Sequence, residues 1–564
     1  MKSIIKSIST VALGLLAAAA TSCLDLDPQD QLADPNLWGR AADFENFANN
    51  FYGWTTDFNT IVIRDGLHSD VRSDIMALKG SKNVFSNGTN TIPNSDKLYT
   101  DGYNHIRRCN LLLEKSEGFA QPNDIRQYVG EAYFFRAWTY FELMQAYGDL
   151  IIVNHTLDVD DALMNAERND RSEVADAIIK DLQESVKYLK NHADVPNGRI
   201  SLEGAYAFLS RVALYEGTWQ KFRSQEARAK ELLDISAEAA KAVMDSKKFS
   251  LFTNEALGEH AYRYMFTLED VKSNPAGVTK SANNEYIFAR LHDETLKPIN
   301  YNISYGSSPS GGDGIVSKKF ADLFLCKDGL PITVSKQFQG YTNIRSEWQN
   351  RDARMGVILC PPGADIYVTG YKAHTTWTDA DEPQIKNYQP NYNNGYNSWK
   401  WVGERDAVTG KESYDFPLIR YAEVLLNYAE AVYERDGKIS DEDLKISINL
   451  TRKRINPTMP DLTNAFVNSN GLDMRTEIRR ERTIELFNEG FRIDDLKRWK
   501  TAETEMPQDF LGSKFCGGTQ NAEGFAIFES SADRSWNERN YLLPLPVDQR
   551  QLNPNLNNNP GWAN

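Results

Sequence analysis

"IRQYVGEAYFFRAWTYFELMQAYGD", residues 125–149, sets apolar groups at Phe134, Ala137, Trp138 and Phe141 and again at Tyr133, Tyr140 and Met144. The spacing is helical and the apolar stripe is wider than a surface helix needs. The segment is therefore predicted to be a buried helix closing near Gly148. The same period recurs outward from it. "SLEGAYAFLSRVALYEG" (201–217) offers Ser201 as an N-cap and Gly217 as a stop, with Leu202, Ala205, Tyr206, Leu209, Val212 and Ala213 along one side. Gly204, Ala205 and Ala207 are small enough to admit a neighbouring helix. Segments 171–189 and 231–246 are amphipathic with the same period, and the short connections imply antiparallel helical hairpins.

Far downstream, "FPLIRYAEVLLNYAEAVYERDG" (416–437) places Leu418, Ala422, Leu425, Ala429 and Val432 on one helical face and ends at Asp436-Gly437. "SDEDLKISINLTRKRI" (440–455) opens with Ser440 and Asp443 at capping-box spacing. Such helix–turn–helix units have tetratricopeptide length without the full tetratricopeptide signature. The expected fold is mainly α, with helical regions at 41–250 and 416–564 around a loop-rich region at 251–415. In that middle region "YNISYGSSPSGGDG" (301–314) and "NYQPNYNNGYNSWKW" (387–401) are loops by composition. Only short helices and a hairpin around "RMGVILC" (354–360) are expected there. So long an irregular region inside a compact protein is usually functional.

The N-terminus has its own pattern. Lys2 and Lys6 precede an apolar run, Ile8–Ala20, interrupted only by Ser9, Thr10 and Gly14. That run has the order of an export signal and is shorter than the roughly 20 residues of a membrane span. Ala20-Thr21-Ser22-Cys23 resembles a bacterial lipobox, with Ala20 where Leu is usual. Residues 1–22 are read as a lipoprotein signal peptide, Cys23 as the lipidation site and 23–40 as an acidic tether. A stable anchor of this kind takes more than one acyl chain.

Composition narrows the chemistry. The 564 residues carry 63 basic and 78 acidic side chains, a net charge of −15, which argues against nucleic acid as a partner. Beyond Cys23, the cysteines Cys109, Cys326, Cys360 and Cys516 are widely spaced with no C-x-x-C. They read as buried thiols or at most a bridge or two, not as a zinc site. Seven scattered histidines without H-E-x-x-H point to no catalytic metal, and no cofactor is expected. The acidic stretches Asp158–Asp161 and Asp379–Glu382 lack the spacing of a dedicated calcium loop and read as solvated turns. "RRER" and "DDLKR" within 478–499 are read as ion pairs that fix the packing of the last helices.

Several blocks now occur together and in order: the lipobox with "CLDLDP", the helices beginning "EAYFFRAWTYFELMQAYGD" and "RISLEGAYAFLSRVALYEG", "NRDARMGVILCPPG", "FPLIRYAEVLLNYAEAVYE", "IRRERTIELFNEGFRIDDLKRW" and "YLLPLPVDQRQLNPNLNNNPGW". In this combination the chain resembles the SusD/RagB family of surface nutrient-binding lipoproteins of Bacteroidetes. The resemblance implies a SusD-like fold: four tetratricopeptide-like helix pairs forming a scaffold, plus a loop-rich irregular region with short helices and minor β. It also implies a lipid anchor on the extracellular face of the outer membrane and a SusC-like TonB-dependent transporter as partner, over which the protein acts as a lid. The ligand implied is a glycan or, in the RagB branch, a peptide. No catalytic residues come with the family. A surface glycosidase is the remaining alternative, and the carboxylate separations it needs cannot be read from sequence.

Sugar recognition needs flat apolar faces beside planar hydrogen-bonding groups. Two stretches have that make-up. The first is 50–74, with Trp54, Asp65, Asp70 and Arg72; the second is 388–401, with Tyr388, Tyr392, Tyr396, Trp399 and Trp401 among asparagines. Trp377 in "AHTTWTDADEP" is a third, weaker candidate.

Overall fold

The computed structural model describes residues 38–63, 66–78, 82–307, 314–364, 395–405 and 410–563. Cys23, Asp65, Trp377, Tyr388, Tyr392 and the acidic stretch 379–382 lie outside the described residues.

The fold is mainly α. A short entry helix α1 (Ala41–Asn49) leads to α2 (Lys97–Glu117), α3 (Pro122–Tyr147), α4 (Arg171–Tyr188), α5 (Leu202–Lys221) and α6 (Glu226–Ser246). Consecutive members pack on one another, and the stack resumes after the middle region with α7 (Tyr421–Asp436), which lies on α6 and α5. Two short helices, α8 (Asp441–Ile446) and α9 (Ile448–Lys453), then precede α10 (Met474–Glu485) and α11 (Arg492–Arg498); α10 packs on α7 and α11 on α5.

The boundaries follow from local chemistry. α3 begins with Pro122 in its first turn, where a missing N–H costs nothing, and ends at Gly148 with φ of 75°. Ser201 caps α5 by accepting the Gly204 N–H, and Ser440 caps α8 by accepting the Asp443 N–H. Gly437, at φ of 68°, closes α7 in the left-handed conformation.

Two boundaries depart from the sequence reading. α5 runs on through Gly217 to Lys221. Gly217 is not a stop but a point of close approach: a Cβ there would lie 3.0 Å from Leu233 Cγ on α6. Residues 416–420 are not helical but form a fully buried strand. Its Pro417 sits at a register shift against the partner strand, where the lost N–H is tolerated, and Arg420 is still extended (φ −132°) as the N-cap of α7.

Among the described residues the β content is three two-stranded antiparallel ribbons. β1 (Met76–Leu78) pairs with β3 (Gly314–Val316), β2 (Tyr286–Arg290) with β4 (Phe416–Arg420), and β5 (Phe510–Leu511) with β6 (Ile527–Glu529). Among the described residues between 251 and 415 the helices are short, such as Ala261–Tyr264, Lys318–Leu323 and Met355–Ile358. The last replaces the hairpin expected at "RMGVILC": Asp352 starts a helical turn by accepting the N–H groups of Arg354 and Met355.

A buried ion-pair network ties the regions together. Arg420, 1% exposed, donates to both Glu489 oxygens at 2.7 Å and to Glu285 and Glu485 at 2.8 Å each. Arg454 pairs with Glu285 and Glu485, Arg354 with Asp352, Glu481 and Glu485, and Lys400 with Glu489. Next to it, Arg498 bridges Glu430 and Asp495. The charges of 478–499 thus do fix the packing, with partners drawn from the middle region as well as the last helices. Burial would raise the Glu485 carboxyl, but Arg454, Arg420 and Arg354 outweigh it and hold it at about 2.

Candidate functional site

The structure brings the two sequence-predicted stretches together, but at a structural joint. Trp401 is fully enclosed, edge-on to Phe58 and Phe266, and its Nε1 donates to the Asn488 carbonyl at 3.0 Å. Asp70, 1% exposed, holds the same residue from the other side, accepting the N–H of Asn488 at 2.7 Å and that of Arg492 at 3.2 Å. The turn they grip contains Asn488 at φ of 55° and Gly490 at 86°, where a Cβ would meet Ile61 at 2.8 Å. Burial pushes Asp70 up to about 7, against the pull of the two backbone N–H donors.

The other described candidates are similarly engaged. Trp399, 7% exposed, lies under the Arg263 guanidinium at 3.9 Å, and the Tyr396 hydroxyl donates to Glu347 at 2.6 Å. The expectation of exposed platforms therefore fails for Tyr396, Trp399 and Trp401. Large rings stabilise the fold most when removed from water, and these three are removed from it. Trp54 is half-buried, with His105 stacked on it at 4.0 Å and Phe51 at 4.7 Å. Arg72 rests its guanidinium on Phe85 at 3.5 Å. The Asp158–Asp161 stretch is a turn in which Asp161 caps the Leu163 N–H and meets His155 at 2.7 Å. All four described cysteines are free and buried.

Half-buried rings lie instead on "KQFQGYTNIRSEW" (336–348), which sequence reasoning passed over although it shows the same aromatic and Gly/Asn composition as 388–401. Phe338, Tyr341 and Trp348 are each half-buried there. Ser317 caps the helix Lys318–Leu323 and sets Lys318 and Asp322 one turn apart as an ion pair. The Tyr341 hydroxyl donates to Asp322 at 3.0 Å, while Lys318 Nζ lies 4.9 Å from the Tyr341 ring centre and 4.5 Å from that of Phe525. Lys318 and Asp322 also line a recess of about 190 Å³ with Lys319, Gln508 and Asp509. A polar recess with planar amide and carboxylate groups beside an aromatic ring suits the alternating C–H faces and hydroxyls of a sugar.

Glu347, 1% exposed, is pushed up to about 7 by burial, against the Tyr396 hydrogen bond, and is enclosed rather than aimed into the recess. Among the described residues no group of three or more His, Cys, Asp or Glu side chains is placed to hold a metal ion. No helix among them is long and apolar enough to cross a membrane.

A stack of helix pairs carrying a loop-rich layer with small ribbons defines the architectural class, and comparisons give it a family. Residues 284–562 match the SusD family, and residues 24–214 match a family described as starch-binding associating with outer membrane. The chain belongs to the SusD/RagB family of Bacteroidetes, a carbohydrate-binding family associated with the outer membrane. It is 25% identical to SusD-like protein P2 of Formosa agariphila, over 97% of this chain and 98% of that one. A SusD-like protein from Bacteroides fragilis superposes with a TM-score of 0.70 at 23% identity, covering 95% of this chain and all of the other. A SusD-like carbohydrate binding protein from the same species superposes with a TM-score of 0.70 at 20% identity, over 92% of this chain and all of the other.

Proposed function

We propose that this protein is a non-catalytic glycan-binding lipoprotein, anchored through Cys23 on the extracellular face of the outer membrane. It captures oligosaccharides and passes them to a SusC-like TonB-dependent transporter, over which it closes as a lid. The observation that carries this reading is family likeness along nearly the whole chain, joined to a polar recess beside the Tyr341 ring. In this reading residues 23–40 are the tether, 41–250 and 416–564 the scaffold, and 251–415 the ligand-binding region. Tyr341, Lys318 and Asp322 are its described ligand contacts, and Asp65, Trp377, Tyr388 and Tyr392 remain candidates beside them. The solved relative described as a carbohydrate binding protein supports a glycan over a peptide.

Calorimetric titration of oligosaccharides into wild type and Tyr341→Ala tests the assignment. Losing one stacking ring should weaken binding about tenfold while circular dichroism still reports a folded protein. Equal affinity in both proteins removes Tyr341 from the site; co-purified peptides with no glycan binding would favour the peptide reading. Cys23→Ala should fold and bind glycan as wild type does, yet leave the membrane fraction; a variant that stays membrane-bound in cells lacking the transporter refutes the anchor.

A further inference from the structure

A second cavity lies away from the Tyr341 recess and shares none of its lining residues. The turn 196–199, strand β2 and the segment after it enclose a cleft of about 250 Å³, which adjoins a larger cavity of about 430 Å³ across Asn197, Leu291 and Lys297. The turn can come this close because Gly198, at φ of 81°, has no Cβ; one would lie 2.5 Å from Leu291 Cδ1. Three cations, Arg199, Arg290 and Lys297, line the smaller cleft, with no acidic side chain among the described residues of its wall. Asn49 and Asn197, both exposed, add amides at the rim, and the half-buried Tyr52 ring contributes an aromatic wall.

The three cations are not equally occupied. Arg199 is committed to Glu131, at 2.7 and 3.0 Å. Arg290 has Asp57 at 3.5 Å and gives another N–H to the Thr55 carbonyl. Lys297, which lines both cavities, makes no side-chain ion pair or hydrogen bond among the described residues; its backbone is engaged, with Asp293 and with the His292 ring at 3.3 Å. Burial, then Lys297 and Arg290, bring His292 down to about 4, so that imidazole is neutral at physiological pH.

We propose that this cleft is a subsite for an acidic sugar, with the carboxylate of a uronic acid on Lys297 and Arg290 and the ring hydroxyls on Asn49 and Asn197. The overall charge of −15 refines the choice. A cationic cleft of this size in an acidic molecule attracts one compact anionic group, whereas a densely charged polyanion is repelled by the rest of the surface. Charge-assisted contacts to carboxylate are about twice as strong as neutral ones, so the cleft discriminates an acidic from a neutral sugar.

Ligand-observed NMR and calorimetry on the full chain test this with glucuronate, glucose and glucose 6-phosphate as probes. Glucuronate should bind at least about tenfold tighter than glucose and weaken as salt is raised. Lys297→Gln should reduce glucuronate affinity about tenfold, and Asn197→Asp, which sets a carboxylate on the rim of an exposed turn, should reduce it as well. Neither substitution touches a buried pair, so melting temperatures should not move. Tyr341→Ala should leave glucuronate binding intact, which separates this subsite from the glycan recess. No glucuronate binding, equal binding of glucose, or affinity unchanged in Lys297→Gln overturns the proposal; tighter binding of glucose 6-phosphate reassigns the cleft to phosphate and overturns the uronate.

Discussion

Replacing Arg420 by methionine should be among the most damaging single changes in the molecule. The guanidinium is 1% exposed and makes five hydrogen bonds, two to Glu489, one each to Glu285 and Glu485, and one to the Glu485 carbonyl. Methionine fills much of the volume but supplies no charge. Glu285 would keep Arg454, Glu485 would keep Arg454 at 3.3 Å and Arg354 at 3.4 Å, and Glu489 would keep Lys400. Counting Asp352 and Glu481, which share Arg354, five carboxylates would then face three cations in a region closed to water. Removing one partner from a buried pair costs about 3–5 kcal/mol, because the charge left behind is desolvated and under-compensated. Arg435→Met is the control. Arg435 also bonds two carboxylates, Asp436 and Asp234, but in contact with solvent, and such pairs are worth about 0–1 kcal/mol. Urea unfolding followed by circular dichroism should show a large drop in midpoint for Arg420→Met and almost none for Arg435→Met. Equal shifts in the two variants would refute the claim that burial sets the worth of these pairs.

Other perturbations have equally definite signs. Gly130→Ala should destabilise by about 1–3 kcal/mol, although alanine is the better helix former by about 1 kcal/mol: the new Cβ would lie 2.9 Å from Leu189 Cγ and 3.0 Å from its backbone nitrogen. A thermal melt reporting a stabilised variant would show that the α3–α4 contact yields more easily than this geometry implies. Asp70 and Glu485 should pull stability in opposite directions with pH. Asp70, raised by burial to about 7, contributes stability in full below its unfolded value near 4 and loses it as pH rises to 7. Glu485, held at about 2 by its arginines against burial, contributes above its unfolded value near 4 and loses that as pH falls toward 2. The slope between pH 4 and 7 should therefore flatten in Asp70→Asn; an unchanged slope would show that Asp70 is charged in the folded protein.

Much of the scaffold is legible because helix periodicity is local. The stripe around Phe134 and Phe141, the cap at Ser201 and the closure at Gly148 need no distant partner to be recognised. Gly217 shows where that logic stops: a glycine that ends a helix and one that lets Leu233 approach look alike in one dimension. The charged run 478–499 announces pairing, but not that Arg354, Lys400 and Arg420 supply the partners from afar. Composition likewise marks 388–401 as an aromatic loop without saying which way a ring turns, and Trp401 turns inward onto Asn488. The recess at Tyr341 depends on Lys318 and Asp322 meeting a ring about 20 residues on, and the basic cleft joins positions from Asn49 to Lys297. Such sites are made by packing, so only the assembled fold exposes them.

Native affinity electrophoresis of the purified chain through gels containing different polysaccharides separates capture from cleavage. At least one polysaccharide should retard the protein, Tyr341→Ala should restore mobility, and no new reducing ends should appear in the gel. Unretarded migration through every glycan, or release of reducing ends by the pure protein, would contradict capture without cleavage.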